Sequence, residues 1–145
     1  MTTTLETRTQ RIKSLELTRV EAVVATVVVG LAVNLLLWLI GLGAGGSFEV
    51  TDAGEKMTVA PGGVVVLSVV PTIVGMTAAA LLSLRWVSVI RIAQVVGPVL
   101  SLATIAGTIL SDFDGASTVS LAAMHAALAA VVYFGLEGMR RGITK

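Results

Sequence analysis

Apolar residues in this chain gather into four long runs, and the polar breaks between them are short. A helix rises about 1.5 Å per residue, so crossing a hydrocarbon core of about 30 Å takes roughly 20 residues. Runs of that length lie at about 20–42, 63–84, 92–111 and 118–136, and each predicts one membrane-spanning helix. The first run follows basic residues and precedes GAGGS, as a signal peptide would, but it is longer than the roughly 7 to 15 apolar residues of a cleavable leader. It reads as an uncleaved span. The pattern therefore predicts an all-α integral membrane protein, a bundle of four transmembrane helices forming a single domain over residues 20–145.

The longest internal break, residues 43–62, reads GAGGSFEVTDAGEKMTVAPG. FEVT and KMTV flank a turn-like Asp52-Ala53-Gly54-Glu55, which predicts a small β-hairpin outside the bilayer. Phe48, Val50, Met57 and Val59 would share one face of it and pack on the helix ends. Pro61-Gly62-Gly63 suits a turn into the second helix. Ahead of the first span, residues 1–19 place Leu5, Ile12 and Leu15 at roughly helical spacing among Arg8, Arg11, Lys13 and Arg19. Both an amphipathic helix on the membrane surface and a polar tail fit that pattern.

Within the spans, small and polar residues recur at steps of three and four, which lines them up on one helix face. The first span carries Thr26, Gly30 and Asn34, and the second carries Ser68, Thr72, Gly75 and Ala79. The third has the longest stripe, Gln94, Gly97, Ser101, Thr104, Thr108 and Ser111, with the small-residue pairs Ala103–Gly107 and Gly107–Ser111 beside it; the fourth carries His125, Ala129 and Tyr133. Such faces should meet other helices, since small side chains let backbones approach and polar ones find partners there. Pro71 and Pro98 are expected kink sites, each freeing a carbonyl that something must satisfy.

Composition agrees. The chain is 55% hydrophobic and 13% charged, against about a quarter charged for an average soluble domain, and its mean hydropathy is +0.94. Without cysteine it has no disulfide, thiolate metal site or catalytic thiol. A net charge of +1 makes no case for nucleic acid. The placement of charge is more telling than its sum. Arg8, Arg11, Lys13, Arg19, Arg85, Arg91, Arg140, Arg141 and Lys145 fall on one predicted side, and Lys56 alone on the other. The positive-inside rule then puts both termini in the cytoplasm of a cell-membrane protein, with the hairpin, Asp112 and Asp114 outside.

Candidate chemistry is sparse. His125 is the single histidine and stands inside the last apolar run. Counted from the outer helix ends, Asn34, Thr72, Thr104 and His125 all lie roughly 10 to 12 Å deep, one polar residue per helix at one level. With Ser101 they are the candidates for binding a ligand or a proton. They are expected to converge in the bundle interior, because an unpaired polar side chain in lipid is costly. The same layer fits a packing role, in which interhelical hydrogen bonds of about 0.6 kcal/mol each fix helix register. One histidine with no cysteine and no buried carboxylate falls short of a metal-ligand set, and no cofactor is expected. Nor does any nucleophile or acid–base pair assemble. Three function classes remain, in order of preference. The first is a structural or accessory protein acting through helix association, as a homo-oligomer or in a larger membrane complex. The second is a small-molecule binder or transporter using the polar layer. A membrane-embedded enzyme comes last.

Two segments carry a family resemblance: MTVAPGGVVVLSVVPTIVGMTAAALLSLR, and LAAMHAALAAVVYFGL with its Met124-His125 pair. Together with an arginine-bearing N-terminal tail and four spans, the chain resembles the DUF6069 family of small actinobacterial membrane proteins. That resemblance implies four spans and no assigned activity. It singles out Pro61, Gly62, Gly63 and His125 without giving them a role.

Overall fold

The computed structural model describes residues 16–52 and 54–144. The surface helix or tail expected over residues 1–19 thus lies almost wholly outside the described residues. The elements are α1 (Arg19–Gly43), β1 (Glu49–Asp52), β2 (Glu55–Thr58), α2 (Pro61–Leu82), α3 (Val89–Leu110) and α4 (Gly115–Ile143). All four helices are long and apolar enough to cross a membrane. Lipid-like surroundings suit their outer faces, where Leu36, Val66, Val99 and Phe134 stand exposed.

Local chemistry sets the helix limits. Thr18 caps α1: the Glu21 amide donates to its hydroxyl at 3.2 Å, and the Thr18 amide donates to the Glu21 carboxylate at 2.8 Å. This reciprocal pair satisfies two amides that a helix start leaves open. α4 runs past its expected limits of 118 and 136 at both ends. Asp114 caps its start by accepting from the Ser117 amide at 2.9 Å. At the other end Glu137 pairs with Arg140 at 2.8 Å and Arg141 at 2.7 Å, which carries the helix through a charged turn where hydropathy has already fallen. α3 begins at Val89, earlier than the expected 92, because the chain turns tightly through Ser83–Ser88. Pro71 and Pro98 both lie inside helices that continue past them.

The hairpin has the expected antiparallel register, with Val50 opposite Met57. Phe48 departs from the expectation of a strand residue. Its φ of +54° places it in the left-handed region, which costs a bulky side chain free energy, and its ring is fully buried against the helix ends. The conformation persists because its surroundings fix it. The Phe48 amide donates to the Ser117 hydroxyl at 2.8 Å, its carbonyl accepts from the Val59 amide at 2.9 Å, and its ring lies 5.9 Å from that of Trp38. Trp38 also donates its indole N–H to the Val59 carbonyl at 2.9 Å. Gly41 makes room for this plug, since a Cβ there would stand 2.6 Å from both the Phe48 ring and the Ser120 hydroxyl. Asp114 completes the clamp by accepting from the Ser117 and Ser47 hydroxyls and amides, and those bonds, Ser117's foremost, hold its carboxyl well below the usual carboxylate range.

α4 is the spine of the bundle. It packs along α1 on one side and α3 on the other, while α2 packs along α1. The order across the molecule is therefore α2, α1, α4, α3. At the end bearing the termini, Ala22, Met76, Ala79, Ile90, Leu136 and Met139 form a buried cluster. Arg19 donates to the Ser83 hydroxyl at 2.9 Å, and Gln94 to the Glu137 carboxylate at 3.0 Å. At the opposite end Phe48, Val64, Leu121 and Met124 form a second cluster.

Candidate functional site

α2 and α3 are joined by a short turn yet make few contacts with each other. Between them opens a cleft of about 520 Å³, backed by α1 and α4 and within the size range of small-molecule sites. Its wall is mostly aliphatic, with Leu67, Met76, Leu100 and Leu128 among the contributors, and among the described residues no Asp, Glu, Lys or Arg lines it. Six polar residues do: Asn34, Ser68, Thr72, Ser101, Thr104 and His125. The five candidates read from the sequence thus border one space, and Ser68 joins them.

Their surroundings differ. Asn34 is 4% exposed and donates its amide to the Ser68 hydroxyl at 2.8 Å, which ties α1 to α2. Its carbonyl oxygen is buried without a partner among the described residues. Thr72, 5% exposed, gives its hydroxyl proton to the Ser68 carbonyl at 2.6 Å. Ser101 gives its own to the His125 carbonyl at 2.8 Å, which ties α3 to α4. His125 is half-buried, and its Nδ1 lies 2.7 Å from the Leu121 carbonyl one turn earlier. Thr104 corrects the expectation of an interior residue. It is exposed, and its hydroxyl turns back to the Ser101 carbonyl of its own helix. The side of α3 on which it sits borders the open cleft rather than a neighbouring helix.

The rest of the α3 stripe does other work. Gln94 reaches Glu137, and the Thr108 and Ser111 hydroxyls bond the Thr104 and Gly107 carbonyls of their own helix. Ser68 was the residue sequence reasoning passed over, although its place one turn before Thr72 in the same stripe was the available signal. Gly75 also lines the cleft, and a Cβ there would meet nothing within 4 Å. Among the described residues no three His, Cys, Asp or Glu gather closely enough to hold a metal ion.

A family model described as a family of unknown function, DUF6069, matches residues 16–142, nearly the whole described chain. The chain belongs to the DUF6069 family. No curated protein and no solved structure matches it. The DUF6069 description carries no activity, so any role must be argued from the cleft itself. Of the residues that the family resemblance singled out, Pro61 opens α2 as its first residue, and Gly62 and Gly63 follow with open space beside them. His125 is the one that borders the cleft.

Proposed function

We propose that this DUF6069 protein sits in the cell membrane with its termini in the cytoplasm and its hairpin outside, and holds a small, partly polar molecule in the α2–α3 cleft. The orientation is supported by the basic residues grouped on the side of the termini against Lys56 on the hairpin. One observation carries the binding reading. The cleft gathers polar side chains from all four helices within an aliphatic wall, and one of them, buried Asn34, keeps an oxygen without a partner. An unpartnered buried oxygen costs about 1–3 kcal/mol, and the Asn34 side chain that bears it lines the cleft. The opening lies between two helices that otherwise face lipid, so the molecule enters sideways from the bilayer. Among the described residues that line it, His125 is the one ionisable side chain and no acid–base pair forms, which favours holding or moving a ligand over catalysis.

Native mass spectrometry of the protein extracted with its own lipids tests this. The wild type should carry a bound small molecule, and Gly75→Phe, which adds a ring at a cleft-lining position where a Cβ would meet nothing within 4 Å, should lose it while keeping its melting temperature. A wild type that emerges bare from several mild extractions would remove the reading.

Helix association is a second reading, favoured by the outward part of α3. Ala103 and Gly107 are exposed there, one turn apart, and Gly107 has open space beside it. Such a pair permits close approach of another helix. As the described chain has no cysteine, Ala103→Cys provides a clean oxidative cross-link between copies; a lack of any dimer in native membranes would count against association through this face.

A further inference from the structure

We infer that the ligand of the cleft is a neutral aliphatic alcohol, a molecule whose hydroxyl donates a hydrogen bond and whose body is a saturated chain or ring. This deepens the binding reading above and rests on it.

The head group follows from where the protons of the wall have gone. Thr72, Ser101 and Thr104 each give their hydroxyl proton to a main-chain carbonyl, so toward the cleft they have only lone pairs to offer. The fourth hydroxyl, Ser68, accepts from the Asn34 amide and keeps its own proton, but it is buried and stands behind the open part of the wall. A carbonyl oxygen can only accept, so the 2.7 Å contact between His125 Nδ1 and the Leu121 carbonyl puts the proton on Nδ1. In the neutral ring Nε2 is then bare, a further acceptor. Behind these lies the unpartnered Asn34 oxygen. The half-buried and exposed part of the wall thus presents acceptors without donors. A ketone, ester or quinone would bring more acceptors to it, whereas an alcohol brings the proton that is lacking.

The body follows from the rest of the wall. Among the described residues no Phe, Tyr or Trp lines the cleft, so a planar aromatic ring has no ring to stack on, while Leu67, Met76, Leu100 and Leu128 supply aliphatic contact. No charged side chain among the described residues lines it either, and a phosphate or ammonium head would enter an aliphatic wall unpaired.

The full-length protein in phosphatidylcholine vesicles, labelled with a diazirine-tagged hexadecanol, provides the test. Labelling should be saturable and fall on the cleft-lining parts of α2 and α3, and Gly75→Phe should abolish that saturable part. Unlabelled 1-hexadecanol should compete about tenfold more strongly than its methyl ether, which keeps the chain and loses the donor proton. Equal competition by the two would overturn the alcohol inference and leave the cleft a binding site. Saturable labelling that is absent from α2 and α3, or indifferent to Gly75→Phe, would overturn the binding reading and this inference with it.

Discussion

Along the seam between α1 and α4, an added Cβ on Gly30 would come within 3.0 Å of Leu128, one on Gly135 would collide with the Thr26 hydroxyl, and the Ser120 hydroxyl crosses to the Leu37 carbonyl at 2.7 Å. Between α2 and α3 the same residue types stand at similar spacings, yet Gly75 faces open space and the Thr72 and Thr104 hydroxyls bond their own helices. Gly97 of α3 does serve a contact, but with Val132 of α4, 3.0 Å from where its Cβ would be. A small residue closes a seam only where the facing helix presents something to fill the space. A hydroxyl ties two helices only where it bonds a group on the other one. The first seam meets both conditions and the second meets neither, so one is packed and the other is a cleft.

The contrast is sharpest when one substitution is made on both sides. Gly135→Ala forces a methyl group into Thr26 and should destabilise the protein by about 1–3 kcal/mol, as overpacking does, read from unfolding in mixed detergent micelles. Thr26→Ala, which removes a hydroxyl with no partner among the described residues, should restore most of that loss in the double variant. Additive losses would show that the contact is not where the strain lies. Ser117→Ala tests the hairpin clamp: it leaves the buried Phe48 amide without its acceptor and should cost about 1–3 kcal/mol, with faster amide exchange at Phe48. Gly75→Ala on the open seam should have the opposite sign to Gly135→Ala, stabilising by about 0.5–1 kcal/mol because it removes only backbone freedom. A loss of stability there would mean the cleft closes in the membrane. The smallest effect concerns pH. Because folding holds the Asp114 carboxyl below its ordinary value, its stabilising contribution is complete above that value and is lost only as pH falls through the lower, folded one. Amide exchange at Ser47 should stay slow from neutrality down through the ordinary carboxylate range; early loosening would break the link to Asp114.

How much was legible in the sequence differs between these regions for physical reasons. Hydropathy placed all four spans, since lipid demands long apolar helices and little else satisfies the backbone there. It fell short at the ends of α4, where capping by Asp114 and the Glu137 ion pairs extend the helix through polar sequence. The face bearing Thr26, Gly30 and Asn34 was readable as a contact face, and all three are buried. Depth alone brought Asn34, Thr72, Thr104 and His125 to one level. It could not say that α2 and α3 would stand apart, because the distance between two helices is decided by what lies across from each residue. Nor does alternation in a short segment reveal that Phe48 leaves the strand to plug the helix ends. That conformation depends on Gly41 at the end of the preceding helix and on Ser117, 69 residues away in sequence.

The position of α4 as spine has a bearing on how the molecule is made. Chains emerge from their N-terminus, so α1 reaches the membrane while its main partner has yet to be synthesised. The Thr26–Gly30 face must wait through the hairpin, α2 and α3 before α4 arrives to cover it. Only α2, joined through the Asn34–Ser68 bond, keeps α1 company in the interval. Assembly of the bundle is completed by its last helix, and a chain stopped short of α4 would leave α1 in the bilayer with its polar face bare.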